Sequence, residues 1–358
     1  MLKVSTFCSG IGSPEQALKN LGIEHKTVFA CEIDKYARQS YLANHECETM
    51  YNDMTKEDYV GEHWYSDINI SGIPCQAFSL AGKRLGELDP RGLLFFDFYR
   101  YVKNQKPKYF IIENVKGLLS DNDGKTFQNW INLLGQSVNG DAFMFPNEDS
   151  LMYNLHWQVL NTKDYGLPQN RERVFLIGIR NDLPNTFVFP KKIPLELRLK
   201  DILEDEVDEK YYLSEKMLTM LTMHSERHKE KGTGFAVEFK NENDIANCLR
   251  ANAALCPTDN MIKIVGHSGS GGQKGFIYDT DGISSCLSAT DYKQPKQISE
   301  DVLIRKLTPL EYFRLQGFPD EFLQKAIDAG ISNSQLYKQA GNSITTNVIQ
   351  AILKNLLT

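Results

Sequence analysis

The sequence predicts an α/β fold with a doubly wound, mostly parallel sheet, joined to a second domain that is smaller and irregular. Over the first 180 residues, short apolar runs alternate with helix-like segments, a pattern typical of parallel sheets covered by helices on both faces. Around residue 184 three prolines come close together, and from 230 to 300 the chain is rich in Gly, Ser, Asn and Thr. The length of 358 residues is enough for about two such domains.

The elements are predicted in alternating order along the first half of the chain. Strands are predicted at 2–7, 27–32, 66–71, 108–113, 157–162 and 173–179. Helices are predicted between them at 14–21, 35–44, 92–104 and 124–137. A last helix carries, on one face and at the spacing of core residues, Val348, Ile349, Ile352 and Leu353.

Composition and cysteine usage indicate a soluble protein of a reducing compartment. Hydrophobic residues make up 41% of the chain and charged residues 24%, as in ordinary globular proteins. The seven cysteines are odd in number and include no C-x-x-C pair, which argues against a disulfide framework and against a zinc site. No apolar stretch approaches the roughly 18–20 residues of a membrane span, and the N-terminus lacks the apolar region of a signal peptide. We therefore expect a cytoplasmic protein with no metal and no membrane partner.

The charge balance argues mildly against nucleic acid as a partner. The chain has 40 Lys and Arg against 46 Asp and Glu, a net charge of −6, whereas nucleic-acid-binding domains are usually basic. A basic face can nevertheless coexist with an acidic remainder. The acidic segment 201–209 is interpreted as a solvated helical face.

The first strand leads into a turn that could bind a nucleoside. Gly10 and Gly12 would let the backbone approach a ligand closely, although a tight structural turn is about as common a reason for G-x-G. An acid after the second strand of such a sheet commonly binds ribose hydroxyls, which makes Glu32 the candidate. Asp53 follows a further predicted strand and could meet an adenine amino group or simply cap a turn. Because the chain lacks G-x-G-x-x-G, S-adenosylmethionine fits this site better than a dinucleotide does.

Reactive side chains are predicted at neighbouring strand ends. Cys75, in S-G-I-P-C-Q, follows the fourth strand, and Glu113 lies at the end of the next. Arg171 and Arg173 stand at the start of the strand predicted at 173–179. A lone cysteine is more often a small buried residue than a nucleophile. A thiol, a carboxyl and a guanidinium in one crevice, however, could act together in nucleophilic and acid–base catalysis.

Eight strings along the chain carry a specific likeness. In order they are C-S-G-I-G, E-I-D-K-Y-A, G-I-P-C-Q-A-F-S, D-P-R-G-L-L-F-F, E-N-V-K-G-L, D-Y-G-L-P-Q-N-R-E-R-V-F, R-K-L-T-P-L-E-Y-F-R-L-Q-G-F-P-D and Y-K-Q-A-G-N-S. In these strings and their order the sequence resembles the cytosine-5 DNA methyltransferase family, over nearly the whole chain outside about 185–300. The resemblance implies a Rossmann-like sheet of the class I methyltransferase type. It divides the chain into a catalytic and cofactor-binding domain at 1–184, a target-recognition domain at 185–304, and a segment at 305–358 that returns to the catalytic domain.

The resemblance also implies a role for each candidate catalytic residue. Cys75 matches the nucleophile that adds to carbon 6 of cytosine, and Glu113 matches the acid that holds ring nitrogen 3. Arg173 matches the arginine that contacts the cytosine carbonyl oxygen, with Arg171 beside it. The methyl group of S-adenosylmethionine would pass to carbon 5 of a base flipped out of a specific duplex sequence.

Cofactor and DNA contacts are implied in the same way. The S-adenosylmethionine pocket is matched by Gly10, Gly12, Glu32, Asp53, Pro74 and Asn342. Residues 76–92 resemble a mobile catalytic loop, whose DNA contacts would come from Ser79, Lys83, Arg84 and Arg91. The implied partner is double-stranded DNA, bound by a monomer at the nucleoid. A cognate restriction endonuclease would accompany it in a restriction–modification system, whereas an orphan or phage enzyme would lack one.

Two positions depart from the family pattern. Cys8 stands where many members have a phenylalanine near the cofactor, which predicts a difference in adenine stacking or cofactor affinity. Leu310 replaces an arginine at a position that is usually structural.

Three other functions fit parts of the sequence. A tRNA cytosine methyltransferase shares the core, but the variable region lacks the Cys-Phe-Thr run expected of that branch. A catalytically silent DNA-binding protein would not need Cys75, Glu113 and Arg173 together. A Rossmann-type oxidoreductase would need the glycine pattern that binds a diphosphate.

Overall fold

The structure is a computed structural model, and its strands and helices follow the predicted alternation. It describes residues 1–73, 94–214, 216–217, 219–221, 223, 226, 239–240, 243–249, 261–264, 277–279, 297–299 and 303–357. The strands within these ranges are β1 (Leu2–Phe7), β2 (His25–Cys31), β3 (Thr49–Tyr51), β4 (Ile68–Ser71), β5 (Tyr109–Val115), β6 (Gly135–Val138), β7 (Asp141–Ala142), β8 (Tyr153–Asn161), β9 (Gln169–Asn170), β10 (Glu172–Ile179), β11 (Phe239–Lys240), β12 (Ala246–Asn247), β13 (Met261–Ile264), β14 (Ile277–Asp279), β15 (Gln297–Ser299) and β16 (Leu303–Lys306). The helices that we number are α1 (Ser13–Asn20), α2 (Lys35–Asn44), α3 (Leu94–Gln105), α4 (Lys125–Leu134), α5 (Pro309–Leu315), α6 (Asp320–Asp328), α7 (Asn333–Asn342) and α8 (Thr346–Leu357).

One large sheet organises the described part of the chain. Nine of these strands form it, in the order β3-β2-β1-β4-β5-β10-β8-β6-β7. Strands β1 to β5 are mutually parallel, and β10 inserts between β5 and β8 antiparallel to both. The sheet is therefore mostly parallel with an antiparallel strand inside it, and the predicted fold class is confirmed.

Helices cover both faces of the sheet because its central strands are apolar on both sides. In β5, Phe110 and Ile112 belong to a core formed with α3 and α4, and Ile111 between them belongs to a second core on the other face. This alternation follows from the two-residue period of a strand. The second core includes α1 and α8, which pack against each other, so the C-terminal helix returns to the sheet.

A third core joins the C-terminal helices to the beginning of the irregular region. Leu199, Ile202 and Tyr211 are buried in it with Phe313 and Leu315 of α5. The acidic segment 201–209 therefore runs along these helices, and the prediction of a helical face for it is wrong. It is irregular between short 3₁₀ turns at Leu199–Asp201 and Glu209–Tyr211, because Asp201 and Asp208 accept backbone hydrogen bonds as turn caps.

Most predicted elements occur within a few residues of their expected bounds. Helix α2 has the predicted bounds, and β8 begins at residue 153 rather than 157. No bounds are predicted for β3, and the short pair β6 and β7 is not predicted. The helix predicted at 124–137 ends at Leu134, because the chain turns into β6 at Gly135. The division of the chain at 184 and 304 stays a prediction.

Candidate active site

The candidate site lies at the edge of the sheet where the parallel strands end. Strands β1, β2, β4 and β5 are mutually parallel, so their carboxyl ends meet at one edge. The chain order reverses between β2-β1 and β4-β5, which makes this edge the crevice where such sheets bind ligands.

A glycine turn follows β1 at this edge. Gly10 and Gly12 have φ values of 56° and 91°, in the left-handed region that favours glycine. The Gly10 N–H donates to Glu32 Oε2 at 2.8 Å, and the Asp34 N–H donates to Oε1 at 2.9 Å. A Cβ on Gly12 would lie 2.3 Å from Cδ2 of His45, so a larger residue there would require the His45 ring to move. The turn after the first strand and the acid after the second are thus one hydrogen-bonded unit.

This unit fits a nucleoside cofactor. Among the described residues, a Cβ built on Gly10 meets nothing within 4 Å, so in this part of the chain the backbone faces open space at the Glu32 carboxylate. Burial raises the pKa of Glu32, although the two backbone hydrogen bonds oppose that shift. Each carboxylate oxygen retains acceptor capacity for a hydroxyl group.

Asp53 caps a turn, and Asn342 lies at the end of a helix. Asp53 Oδ1 accepts from the N–H and hydroxyl of Thr55, at 3.0 and 2.8 Å, and so caps the 3₁₀ turn Met54–Lys56. The turn-cap interpretation of Asp53 therefore holds in the structure, and a cofactor contact stays a prediction. Asn342 is exposed at the end of α7. The carbonyls of its neighbours Gly341 and Ser343 accept hydrogen bonds from the buried side chain of Arg171.

Glu113 and Arg173 form an ion pair on adjacent strands. Arg173 Nε lies 3.1 Å from Glu113 Oε1, and the side chains are 18% and 12% exposed. Glu113 pairs with Phe175 across the ladder and Arg173 pairs with Val115, so the two charged residues are diagonal neighbours on one face. The antiparallel insertion of β10 beside β5 is what brings them together.

Arg171 has a different environment from Arg173. It is 3% exposed, and its guanidinium donates to the carbonyls of Leu249, Gly341 and Ser343 at 3.3, 3.1 and 2.9 Å. No hydrogen bond of Arg171 within the described residues goes to Glu113. Arg171 nevertheless lies close to Arg173, because both guanidinium groups reach the sulfur of Cys248. Its other contacts tie the end of α7 to residue 249.

The remaining expected site residues lie outside the described residues. They are Pro74, Cys75, Ser79, Lys83, Arg84 and Arg91, in the segment 74–93. The described chain ends before them at Ile73, which is 4% exposed, two residues after β4.

Two residues of the site were missed from the sequence. Ser9 joins the ends of β1 and β2, because its N–H donates to the Cys31 carbonyl and its hydroxyl accepts from the Cys31 N–H. Cys248 lies beside both arginines. A hydroxyl between a strand and a glycine turn is a recognisable signal for Ser9, whereas Cys248 reaches the site only through tertiary structure.

The comparisons with known proteins decide the family. A family model described as C-5 cytosine-specific DNA methylase matches residues 2–358. The chain belongs to this family. The orphan methyltransferase M.SPRI of Bacillus phage SPR is 33% identical, with 99% of this chain and 97% of the relative covered. The type II methyltransferase M.HpaII of Haemophilus parainfluenzae is 35% identical, with 98% of this chain and 87% of the relative covered.

Solved structures agree on the fold. The crystal structure of S. pombe Dnmt2 methyltransferase has a TM-score of 0.69 at 19% identity and covers all of both chains. A Spodoptera frugiperda DNMT2 structure has the same TM-score at 21% identity, again over both whole chains. At this level of identity the likeness establishes the class I methyltransferase fold alone.

Family membership settles the activity. The protein is a DNA (cytosine-5) methyltransferase, and the silent DNA-binding and oxidoreductase interpretations are set aside. The family implies S-adenosylmethionine as methyl donor and DNA as substrate. In the part of the chain that the structure describes, no helix has the length and apolarity to cross a membrane, and no cluster of His, Cys, Asp and Glu could hold a metal ion.

Proposed function

We propose that this methyltransferase modifies an extruded cytosine of duplex DNA, with Cys75 as nucleophile and with Glu113 and Arg173 holding the pyrimidine ring. The observation that carries the proposal is the ion pair between Glu113, on the strand β5 next to β4, and Arg173, on the adjoining strand β10. Cys75 follows Ile73 by two residues, a chain length of at most about 7 Å.

Glu113 and Arg173 contact different atoms of the cytosine ring. The Glu113 carboxyl donates a proton toward ring nitrogen 3, and the Arg173 guanidinium donates to the carbonyl oxygen at carbon 2. Both interactions withdraw electron density from carbon 6, so the Cys75 thiolate can form its bond there without leaving a full negative charge on the ring. Carbon 5 then becomes nucleophilic.

The reaction ends with release of the enzyme. S-adenosylmethionine, when bound, supplies the electrophilic methyl group for carbon 5, and the thioether that loses the methyl group leaves as S-adenosylhomocysteine. A base, for which water suffices, removes the proton from carbon 5, and the electron pair of that bond expels the Cys75 thiolate from carbon 6. The product is 5-methylcytosine, and the chain returns to its starting state.

The cofactor pocket is proposed at the glycine turn. The Glu32 carboxylate accepts from the ribose hydroxyls, since its two hydrogen bonds from Gly10 and Asp34 fix its position and leave acceptor capacity. The Gly10 side of the turn gives the cofactor room. We further assign to this pocket Gly12, Asp53, Pro74 and Asn342.

DNA binding is assigned to two segments. Residues 76–92 form the catalytic loop, and its proposed contacts to DNA are Ser79, Lys83, Arg84 and Arg91. Residues 185–304 choose the sequence. A base inside a duplex is stacked and closed to attack at carbon 6, so the enzyme must flip it out at a cost of a few kcal/mol.

Two kinds of relative support a proposal for the biological setting. One is an orphan phage methyltransferase and one a type II methyltransferase, at 33% and 35% identity. We propose a modification enzyme of one of these kinds, acting as a monomer on nucleoid DNA in the cytoplasm, with a cognate restriction endonuclease if it is of the second kind.

A duplex containing 5-fluorocytosine tests the chemistry. Fluorine at carbon 5 cannot leave as a cation, so the adduct should survive denaturation as a slower band on a gel. Cys75→Ala should form no adduct, and Glu113→Gln should slow its formation about 10²–10⁴-fold. Cys47→Ala, which removes a half-buried thiol elsewhere, serves as the control and should trap normally. An adduct in Cys75→Ala, or a normal rate in Glu113→Gln, would refute the assignments.

A further inference from the structure

Cys248 lies where the irregular region meets the catalytic sheet. It directly follows β12 (Ala246–Asn247), which pairs in parallel with β9 (Gln169–Asn170). The Leu249 N–H donates to Gln169 Oε1 at 3.2 Å, and Gln169 in turn donates from Nε2 to the Leu315 carbonyl at 2.8 Å. The backbone around Cys248 is therefore held on both sides, and its side chain has a defined place.

The sulfur of Cys248 accepts from two guanidinium groups. Arg171 Nη1 lies 3.4 Å from Sγ, and Arg173 Nη2 lies 3.7 Å from it. Burial raises the pKa of this thiol, but the two positive charges outweigh burial and bring the pKa below its ordinary value. A sulfur with partial thiolate character is a stronger acceptor than a neutral thiol.

Arg173 is held on three sides. Its Nε faces Glu113 at 3.1 Å, its Nη1 donates to the Glu172 carbonyl at 2.8 Å, and its Nη2 faces Cys248. A guanidinium is planar, so three fixed contacts define the orientation of the whole group. Without the sulfur, the Nη2 edge loses its acceptor and the group can rotate away from Glu113.

We propose that Cys248 is a positioning residue for methyl transfer, which orients Arg173 so that the arginine and Glu113 meet the target base together. The inference rests on the proposed roles of Glu113 and Arg173. It also gives the irregular region a physical connection to the chemistry, because Cys248 belongs to the segment 185–304 and Arg173 to β10.

Arg171 in turn holds the sulfur of Cys248 in place. Its Nη1 donates to both Cys248 Sγ and the Leu249 carbonyl, and its Nη2 donates to the carbonyls of Gly341 and Ser343. Arg171 thus fixes the sulfur, and the sulfur fixes Arg173. A supporting role of this kind accounts for the burial of Arg171, which is only two residues from the proposed catalytic Arg173.

Single-turnover methylation of duplex DNA tests the inference in the full-length enzyme. Cys248→Ala removes the acceptor and should lower the rate roughly tenfold, the effect of one hydrogen bond to a charged group. Cys248→Ser keeps an acceptor and should recover most of the rate, whereas Cys248→Val fills the space without one and should behave like Cys248→Ala. Cys47→Ala should match the parent. Affinity for S-adenosylmethionine and the Tm should change little in all four variants.

A double-mutant cycle shows whether Cys248 acts through Arg173. In an Arg173→Lys background, whose rate is already low, Cys248→Ala should cost less than twofold more, since contacting residues are not additive. An additive tenfold loss, a normal rate for Cys248→Ala, or failure of Cys248→Ser to recover would overturn the inference. If Glu113→Gln and Arg173→Lys themselves keep the full rate, the proposed function fails instead.

Discussion

At the scale of single residues, the cofactor turn depends on what each glycine faces. Gly12 is closed in by His45, whereas Gly10 faces open space at the Glu32 carboxylate in the part of the chain that the structure describes. Both have positive φ, so a side chain at either position strains the backbone by roughly 1–2 kcal/mol. The two positions differ in the space around them. A substitution at Gly12 should therefore affect mainly the stability of the protein, whereas one at Gly10 should also affect binding of the cofactor.

Alanine substitution of three glycines should therefore give three different results. Gly10→Ala should lower the free energy of unfolding by about 1–2 kcal/mol and weaken binding of S-adenosylmethionine at least tenfold, because the methyl group enters the proposed pocket. Gly22 also has a positive φ, and within the described residues a Cβ there meets nothing, so Gly22→Ala should show only the loss of stability. Gly12→Ala should cost more stability than either, since its Cβ meets the His45 ring.

Calorimetric binding and denaturant unfolding check these outcomes. Equal affinity for S-adenosylmethionine in Gly10→Ala and Gly22→Ala would remove the Gly10 side of the turn from the pocket. Equal stability of Gly12→Ala and Gly10→Ala would mean that His45 can move aside.

At the scale of elements, a buried ion pair joins β16 to α5. Arg305 and Glu311 are 2% and 0% exposed in their side chains, with Nη2–Oε1 and Nη1–Oε2 distances of 2.7 and 2.9 Å. The carboxylate also accepts from the N–H groups of Thr308 and Glu204, at 2.8 and 2.9 Å. Four donors on one carboxylate fix the angle at which the chain leaves the irregular region and enters the C-terminal helices.

Glu311→Gln should consequently be among the costly substitutions outside the active site. It leaves Arg305 buried without a negative partner, and the loss expected on breaking such a pair is about 3–5 kcal/mol in the free energy of unfolding. The matched control is Asp320→Asn, which breaks the exposed Arg314–Asp320 pair and should cost about 1 kcal/mol at most. Urea unfolding of both variants is the measurement, and similar losses would mean that the burial of the Arg305 pair does not matter.

The strands differ in how well the sequence predicts them. Alternating apolar runs were sufficient for β1, β2, β5 and β10, because each is long and buried on both faces. No such pattern marks β6 and β7, since Gly135–Val138 and Asp141–Ala142 are too short to show the two-residue period of a strand. Glu113 and Arg173 were expected in one crevice, and their direct contact depends on the antiparallel placement of β10. Cys248 could not be found, because 75 residues of chain separate it from Arg173.

At the scale of the whole molecule, a net charge of −6 has to be reconciled with a DNA substrate. Part of the acidic excess lies in the segment 201–209, which packs on the C-terminal helices α5 to α7 rather than on the catalytic edge of β5. The basic residues assigned to DNA lie instead in 76–92. Affinity for DNA should thus come from a limited basic surface, and sequence choice from a separate segment, since phosphate contacts position a protein and base contacts specify.

Exchange of residues 185–304 for the equivalent segment of a relative of known specificity tests this division. Methylation, mapped by bisulfite sequencing, should move to the relative's site, because the proposed catalytic pair Glu113–Arg173 and the proposed nucleophile Cys75 lie outside the exchanged segment. The contacts of Cys248 and Leu249 with Gln169 and Arg171 cross the boundary, so a second chimera that keeps residues 243–249 of this chain should methylate the new site faster than the first. A chimera that keeps 185–304 and exchanges 305–358 is the control and should retain the original site. If the first chimera traps 5-fluorocytosine yet still modifies the original sequence, recognition resides elsewhere in the chain.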